Sequence, residues 1–288
     1  MLDLARLRVL AAVARTGSIT AAAKDLHYTQ PSVSHHIARL EKETGAALLQ
    51  RVGRGVRLTP AGELLAERAM EIIGRVDAAA AELSAHVGLS AGKVRLAGFS
   101  SAMSTLVPAA AAVLADTHPG LELSLTDTHP PEALRLLRTG KADVAVVFRY
   151  DESPPEEPGI RLHHLLDDPT YLVTPGPSAT GALEAHRDAR WVAGCERCQG
   201  HLLNLCARAG FTPDIAYSTD DMVVMQSLVA AGMGVTILPG LALRAHRGPG
   251  VEAAEIPGST RRVYAATYGE PPDPPATAAL LTALRQAA

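Results

Sequence analysis

The stretch Gln30-Pro31-Ser32-Val33-Ser34-His35-His36-Ile37-Ala38-Arg39-Leu40-Glu41 decides how this chain is read. Val33, Ile37 and Leu40 recur at i, i+4 and i+7, so the spacing predicts a helix over about residues 30–43 with one buried stripe. Pro31 suits the first turn, where a missing N–H costs nothing, and Gly45 marks the end. The opposite face carries Pro31, Ser32, His35, Ala38 and Arg39, with Gln30 and Ser34 at its edge. These side chains are small or can hydrogen-bond, and no acid appears before Glu41. A helix that enters the DNA major groove needs such a face, because base edges are read by hydrogen bonds and apolar contacts.

The flanking sequence agrees with that reading. Leu4, Leu7, Leu10, Ala11 and Ala14 follow helical spacing over residues 3–15, and Gly17 ends the run. Ser18 can cap a second helix over 19–26, with a short turn at 27–29 before the decisive helix. After it, Arg51-Val52-Gly53-Arg54-Gly55-Val56-Arg57 alternates arginine with glycine or valine and reads as a tight β-hairpin with basic side chains at its tip. A basic wing of this kind can reach phosphates or a narrow minor groove. Residues 1–60 carry nine Lys/Arg against four Asp/Glu, whereas the remainder carries 18 against 26. A basic front end on an acidic body fits one domain that meets phosphate.

Ser18-Ile19-Thr20-Ala21-Ala22-Ala23, Gln30-Pro31-Ser32-Val33-Ser34, Leu40-Glu41, Gly45, Arg51 and Leu58-Thr59-Pro60-Ala61-Gly62 together resemble the N-terminal signature of the LysR-type transcriptional regulators. The resemblance implies that Gln30, Pro31, Ser34 and His35 face the bases and that Arg54 serves the wing. Ser32, Arg39, Arg51 and Arg57 complete the candidate DNA-binding set. Leu49 stands where the family usually has phenylalanine and keeps an apolar plug under the wing. His35 stands where arginine or glutamine is often found.

Thr59 can cap a helix with Pro60 at its first position, and the next 27 or so residues carry no proline. Leu65, Ala69, Ile72, Val76, Ala79 and Leu83 alternate four and three apart, a short heptad seam that predicts a dimerisation helix. Pairing presents two recognition helices at a fixed spacing. Residues 87–92 read as a hinge.

From Lys93 onward, strand-like and helix-like segments alternate. Strands are expected at 94–99, 121–126 and 143–148 with helices at 105–117 and 131–139, a βαβαβ unit that predicts a parallel sheet. A Pro- and Glu-rich stretch at 151–159 leads to a second lobe, with strands expected at 161–166, 171–174, 191–193, 215–218 and 235–238 and helices at 197–209 and 221–231. Residues 263–267 lead back, and 276–285 close the chain as a helix. This body resembles the effector-binding domain of the same regulators, itself similar to periplasmic binding proteins. The expected organisation is α+β and multidomain: a winged helix-turn-helix over 1–58, a linker helix and hinge over 59–91, and a two-lobed α/β effector domain over 92–288 with crossovers near 149–159 and 266–270.

Ligands of two-lobed α/β bodies bind in the cleft at the strand ends. Ser100 and Ser101 follow the first strand and precede a helix, where hydroxyls and free N–H groups favour anions; simple N-capping is the alternative. Ser101 matches the family position that commonly touches the effector, and Ala102 follows it in the motif. Phe148 and Arg149 at a strand end, with Gly194, Cys195 and Asp220 from the second lobe, complete the candidate lining. All three cysteines fall between 195 and 206, with His201 among them. The spacing Cys195-x2-Cys198-x2-His201-x4-Cys206 is not a standard zinc knuckle. The expectation is two cysteines at the pocket and one in the core, with a thiol-redox or metal-responsive regulator on the same scaffold as the alternative function.

The 47% hydrophobic and 20% charged composition is that of a globular chain. No P-loop, GxSxG elbow, HExxH pair or paired-acid signature points to an enzyme. No apolar run approaches the ~18 residues of a membrane span, and the N-terminus, with Arg6 and Arg8 in its first apolar stretch, lacks a signal-peptide pattern. The expected setting is cytoplasmic. The expected partners are promoter DNA, a small-molecule effector of unknown identity, further copies of the chain as a dimer or tetramer, and RNA polymerase; no cofactor, metal or membrane is expected.

Overall fold

The computed structural model describes residues 2–52, 55–86, 92–153, 155, 158–176 and 182–288. Arg54 and Val87 to Ala91 of the expected hinge lie outside the described residues, as does part of the 151–159 stretch. The chain divides into two compact units, residues 1–90 with 138–141, and residues 91–137 with 142–288.

Three helices open the first unit: α1 (Leu4–Thr16), α2 (Ile19–Asp25) and α3 (Gln30–Thr44). Asp3, Ser18 and Thr29 cap them by accepting hydrogen bonds from first-turn N–H groups, each cap contributing about 1 kcal/mol. Gly17 and Gly45 end α1 and α3 in the left-handed region, at φ 65° and 69°. His27 takes the same region at φ 55° to turn α2 into α3. Val33, Ile37 and Leu40 of α3 are buried with Leu7, Leu10 and Val13 of α1 in one core. The hairpin follows as β1 (Leu49–Val52) and β2 (Gly55–Leu58). The Glu41 carboxylate accepts the N–H groups of Leu48 and Leu49 at 2.8 and 3.2 Å and fixes the hairpin to α3.

Helix α4 (Pro60–His86) departs from expectation in what it buries. Ala66 and Ala69 are fully inside the core with α1, and Leu65 and Ile73 pack against it. Arg8 of α1 reaches Asp77 at 2.9 Å. Leu65 and Ala69 therefore do not belong to an outward seam. The small Ala69 allows close approach to α1, not to a partner. Ile72, Val76, Ala79 and Leu83 of the expected seam are exposed, and Leu64 joins them. The heptad spacing is shared by the two faces because a straight helix drifts against a seven-residue repeat.

The second unit holds β3 (Lys93–Gly98), α5 (Ser100–Met103), α6 (Leu106–Thr117), β4 (Glu122–Asp127), α7 (Pro130–Arg138) and β5 (Val144–Arg149). β6 (Ile160–Pro175) follows, then β7 (Arg190–Ala193), α8 (Glu196–Arg208), β8 (Asp214–Ser218), α9 (Met222–Ala230), β9 (Thr236–Pro239) and α10 (Gly240–Ala245). β10 (Val251–Tyr268) and α11 (Pro275–Ala287) end it. β3, β4 and β5 are parallel, as expected of a βαβαβ unit. The six-stranded sheet is mixed, however, in the order β4-β3-β5-β10-β6-β9, because β10 runs antiparallel to both β5 and β6. Val144, Val146 and Phe148 of β5 face one core, whereas Ala145 and Val147 face another. Burial on both faces explains its unbroken apolar run.

The two segments expected at 161–166 and 171–174 are one strand, β6, and the return strand is 18 residues long. Both strands run from one lobe to the other. The passage lies mid-strand, where the β6–β10 register shifts between Glu255 and Thr260, rather than in loops near 149–159 and 266–270. Asp168 and Arg261, both buried, sit at that passage.

Candidate functional site

On α3, Gln30, Pro31, Ser34, His35, Ala38 and Arg39 are exposed and Ser32 is half-buried. Their Cα positions lie opposite the Val33-Ile37-Leu40 stripe, so one continuous face is open to solvent. Three acids around this helix are engaged within the unit. Glu43 pairs with Arg6, Asp25 with Arg15, and Glu41 with the hairpin backbone. Negative charge is thus neutralised behind the helix while the basic groups face out. Arg51 and Arg57 are exposed, but they do not share a face. Gln50 pairs with Arg57 and Arg51 with Val56, so the period of two sends the arginines to opposite sides of the hairpin. Gly62 permits the close approach of α4 to this corner, since a Cβ there would lie 2.0 Å from the Leu48 carbonyl oxygen.

In the second unit a cavity of about 80 Å³ opens at the ends of β3 and β5. Ser100, Ser101, Phe148, Gly194, Cys195 and Asp220 line it, as grouped from the sequence. Ala102 does not; it is fully buried in the core behind them. Arg149 does not either, because its guanidinium turns to donate to the Ser153 carbonyl at 3.2 Å. Strand alternation puts Phe148 and Arg149 on opposite faces.

The centre of the wall is a residue that local patterns did not mark. Arg261 donates from Nε to Asp168 at 2.9 Å and from Nη2 to the Ser101 hydroxyl at 2.9 Å. Its guanidinium lies between the rings of Phe99 and Phe148, 4.8 and 4.5 Å from their centroids. Aromatic faces attract the cation, and the carboxylate offsets its burial. Asp168 also accepts the Leu241 N–H at 2.9 Å, tying α10 to the same centre. Ser101 is therefore held as a hydrogen-bonding group, whereas Ser100 donates to the Asp127 carboxylate at 3.1 Å. His129 and Asp220 meet at 3.0 Å across the mouth. The Thr170 hydroxyl is buried in the wall with no hydrogen-bond partner among the described residues.

The cysteine-histidine run separates into three environments. Cys195 caps α8 and Cys198 lies in its first turn, with their sulfurs 3.2 Å apart in the pocket wall. The hydrogen bond with Cys198 brings the Cys195 thiol down to about 6 against the opposing effect of burial, helped by the Cys198 backbone N–H and His129. The same bond, followed by burial, holds Cys198 well above the ordinary thiol range. His201 stacks on Tyr150 at 3.7 Å and binds Glu152 and Ser259, both at 2.9 Å. Cys206 is fully buried in a different core, and burial pushes it up to about 11. The four side chains do not converge, and among the described residues no group of three or more His, Cys, Asp or Glu is arranged to hold a metal ion.

A sequence model of bacterial regulatory helix-turn-helix proteins of the lysR family matches residues 4–63, and a model of the LysR substrate binding domain matches residues 88–288. The chain belongs to the LysR family. It is 30% identical to the probable HTH-type transcriptional regulator LrrA of Synechococcus elongatus over all of this chain and 98% of that relative. It is also 30% identical to a probable hydrogen peroxide-inducible genes activator of Streptomyces viridosporus, covering 84% of this chain and 79% of the relative. The crystal structure of full-length CbnR with its target DNA shares the fold with a TM-score of 0.68 at 24% identity, covering all of both chains. This LysR-family chain is thus a DNA-binding transcriptional regulator with an effector-binding domain. Among the described residues, no helix is long and apolar enough to cross a membrane.

Proposed function

We propose that the chain binds operator DNA as a dimer or higher assembly and that a small molecule in the Ser101–Arg261 pocket shifts its equilibrium between regulatory states. The observation that carries the effector reading is the convergence of the Thr170 and Ser101 hydroxyls and the Arg261 guanidinium on one apolar-walled cavity. The Thr170 hydroxyl has no hydrogen-bond partner among the described residues, and a ligand can supply one. α3 supplies base readout through Gln30, Pro31, Ser32, Ser34, His35 and Arg39, and the wing supplies backbone contacts through Arg51, Arg57 and Arg54. The exposed stripe of α4 supplies self-association, and RNA polymerase is the further partner when the bound state activates.

Fluorescence anisotropy with a duplex from the chain's own promoter tests this. His35→Ala is expected to relax preference at one base position. Arg57→Ala is expected to weaken binding to all sequences alike and lower the salt slope by about 1. Equal loss on every operator variant for His35→Ala counts against His35 as a base reader. For the pocket, a thermal-shift screen of small carboxylates is expected to give a hit that Ser101→Ala weakens; a hit unaffected by Ser101→Ala or Thr170→Val places the effector elsewhere.

A further inference from the structure

The Cys195–Cys198 pair carries more than a pocket lining needs. Its two sulfurs are 3.2 Å apart, only about 1.2 Å beyond a disulfide bond of about 2.0 Å, a gap that small side-chain rotations can close. Cys195 is the residue before α8, with φ −59° and ψ 164° and no capping hydrogen bond from its side chain. It stands at the N-terminus of a 13-residue helix, an end that favours negative charge, and the Cys198 backbone N–H helps to lower its thiol. Gly194 precedes it in the same wall. Both cysteines line the cavity and are reachable from it. Cys206 is packed into a separate core.

We propose that Cys195 and Cys198 form a redox switch within the pocket, in which the Cys195 thiolate reduces a small hydroperoxide and Cys198 then closes a Cys195–Cys198 disulfide. The thiolate sulfur attacks the terminal oxygen of the hydroperoxide. The O–O bond breaks, the leaving alkoxide or hydroxide takes a proton, and Cys195 becomes a sulfenic acid. The Cys198 sulfur then attacks the Cys195 sulfur, the S–O bond breaks, water leaves, and the S–S bond forms. Two thiols lose two electrons in all, and the peroxide gains them.

The surroundings fit each role. Of the two pocket thiols, Cys195 is the one whose ionisation is favoured, because the bond with Cys198 lowers it to about 6 while Cys198 is raised. The cavity of about 80 Å³ admits a small peroxide more readily than a peptide disulfide. Oxidation also has a route outward. The Tyr150 hydroxyl lies 4.0 Å from the Cys198 sulfur, and the same ring stacks on His201. His201 in turn holds Glu152 and Ser259. Ser259 lies in the β10 irregularity at the passage between lobes. Pulling Cys198 toward Cys195 removes the thiol contact at the inner end of that chain.

This inference rests on the pocket being the regulatory site, but its chemical step is read without DNA or effector, so the two can fail separately. Reduced full-length protein treated with one equivalent of hydrogen peroxide is expected to fall from three titratable thiols to one under denaturing conditions. Glutathione disulfide at the same concentration is expected to leave three. In Cys206→Ala, digestion with trypsin, which cuts after Arg197, is expected to leave the Cys195 and Cys198 peptides joined until dithiothreitol is added. Cys198→Ser is expected to stop at a dimedone-reactive Cys195, and Cys195→Ser to give no adduct. Operator affinity of the oxidised wild-type protein is expected to change at least fivefold and to return on reduction. Three remaining thiols after peroxide, a disulfide that needs Cys206, or oxidation by glutathione disulfide alone overturns the chemistry. Complete oxidation with unchanged operator affinity overturns the regulatory role.

Discussion

Arg261 shows how a single residue organises the second unit. It is one of the largest fully buried side chains, yet it is charged, and it is tolerated because Asp168, Ser101 and two aromatic faces surround it. Replacing it with leucine leaves the Asp168 carboxylate buried beside an apolar chain. Arg261→Leu is therefore expected to cost about 3–5 kcal/mol, measured as a loss of urea stability. A loss below about 1 kcal/mol shows that water reaches Asp168 and that the pair is not closed. His201 offers a second measurement at this scale. Burial lowers it below its ordinary 6.5, with Arg208 acting in the same direction and Glu152 and Asp151 partly opposing. The unfolded chain therefore binds the proton more readily than the folded one. Its contribution to stability is complete above about pH 6.5 and declines as pH falls through that value toward the lower folded one. His163 and His186 are also lowered, chiefly by burial, and act with the same sign. His201→Gln is accordingly expected to flatten, without abolishing, the fall in urea midpoint between about pH 7.5 and 5.5. An unaltered slope in that variant shows that His201 does not titrate on unfolding.

Among the elements, α4 does two jobs with two faces. Its first turns complete the helix-turn-helix core through Ala66 and Ala69 against α1. Its other side shows Leu64, Ile72, Val76 and Leu83 to solvent, an apolar row at helical spacing. These faces make opposite demands on substitution. Ala69→Leu overfills a closed contact and is expected to destabilise the protein by about 1–3 kcal/mol. Val76→Asp is expected to leave folding within about 0.5 kcal/mol while lowering the sedimentation-derived assembly state. A Val76→Asp protein that assembles as wild type places the self-association surface elsewhere. The recognition helix and wing divide in a similar way. α3 is fixed by its cap, its buried stripe and Glu41, so its exposed polar face is held rigidly. Arg51 and Arg57 lie on opposite sides of a two-stranded ribbon and cannot contact one phosphate together from the same face.

Across the whole molecule, the order of elements was legible because most of it depends on local rules. Caps, glycine stops and helical spacing placed α1 to α4 within two residues. Alternation and composition placed most strands of the second unit. The failures share one cause. β6 was read in two pieces and β10 only over 263–267, because Asp167-Asp168 and Arg261-Arg262 interrupt their apolar pattern. A buried ion pair looks like a loop in sequence, since nothing local reveals that its two halves, 93 residues apart, neutralise each other. His129, Tyr150, Thr170 and Met225 reached the pocket from four separate elements or loops for the same reason. A polar break inside an otherwise strand-like run was the one available signal.

The sequence by itself determined the winged helix-turn-helix, the exposed polar face of its third helix and the basic hairpin, because each follows from spacing within a few turns of chain. It also determined that an α/β body follows. Only the tertiary structure decided that the sheet is mixed, that Ala69 faces inward and Val76 outward, and that Arg261 rather than Arg149 lines the pocket. It also decided that Cys195 and Cys198, but not Cys206, share one wall. Those outcomes depend on contacts between residues far apart in the chain, where burial and charge pairing, not local periodicity, set which side each residue takes.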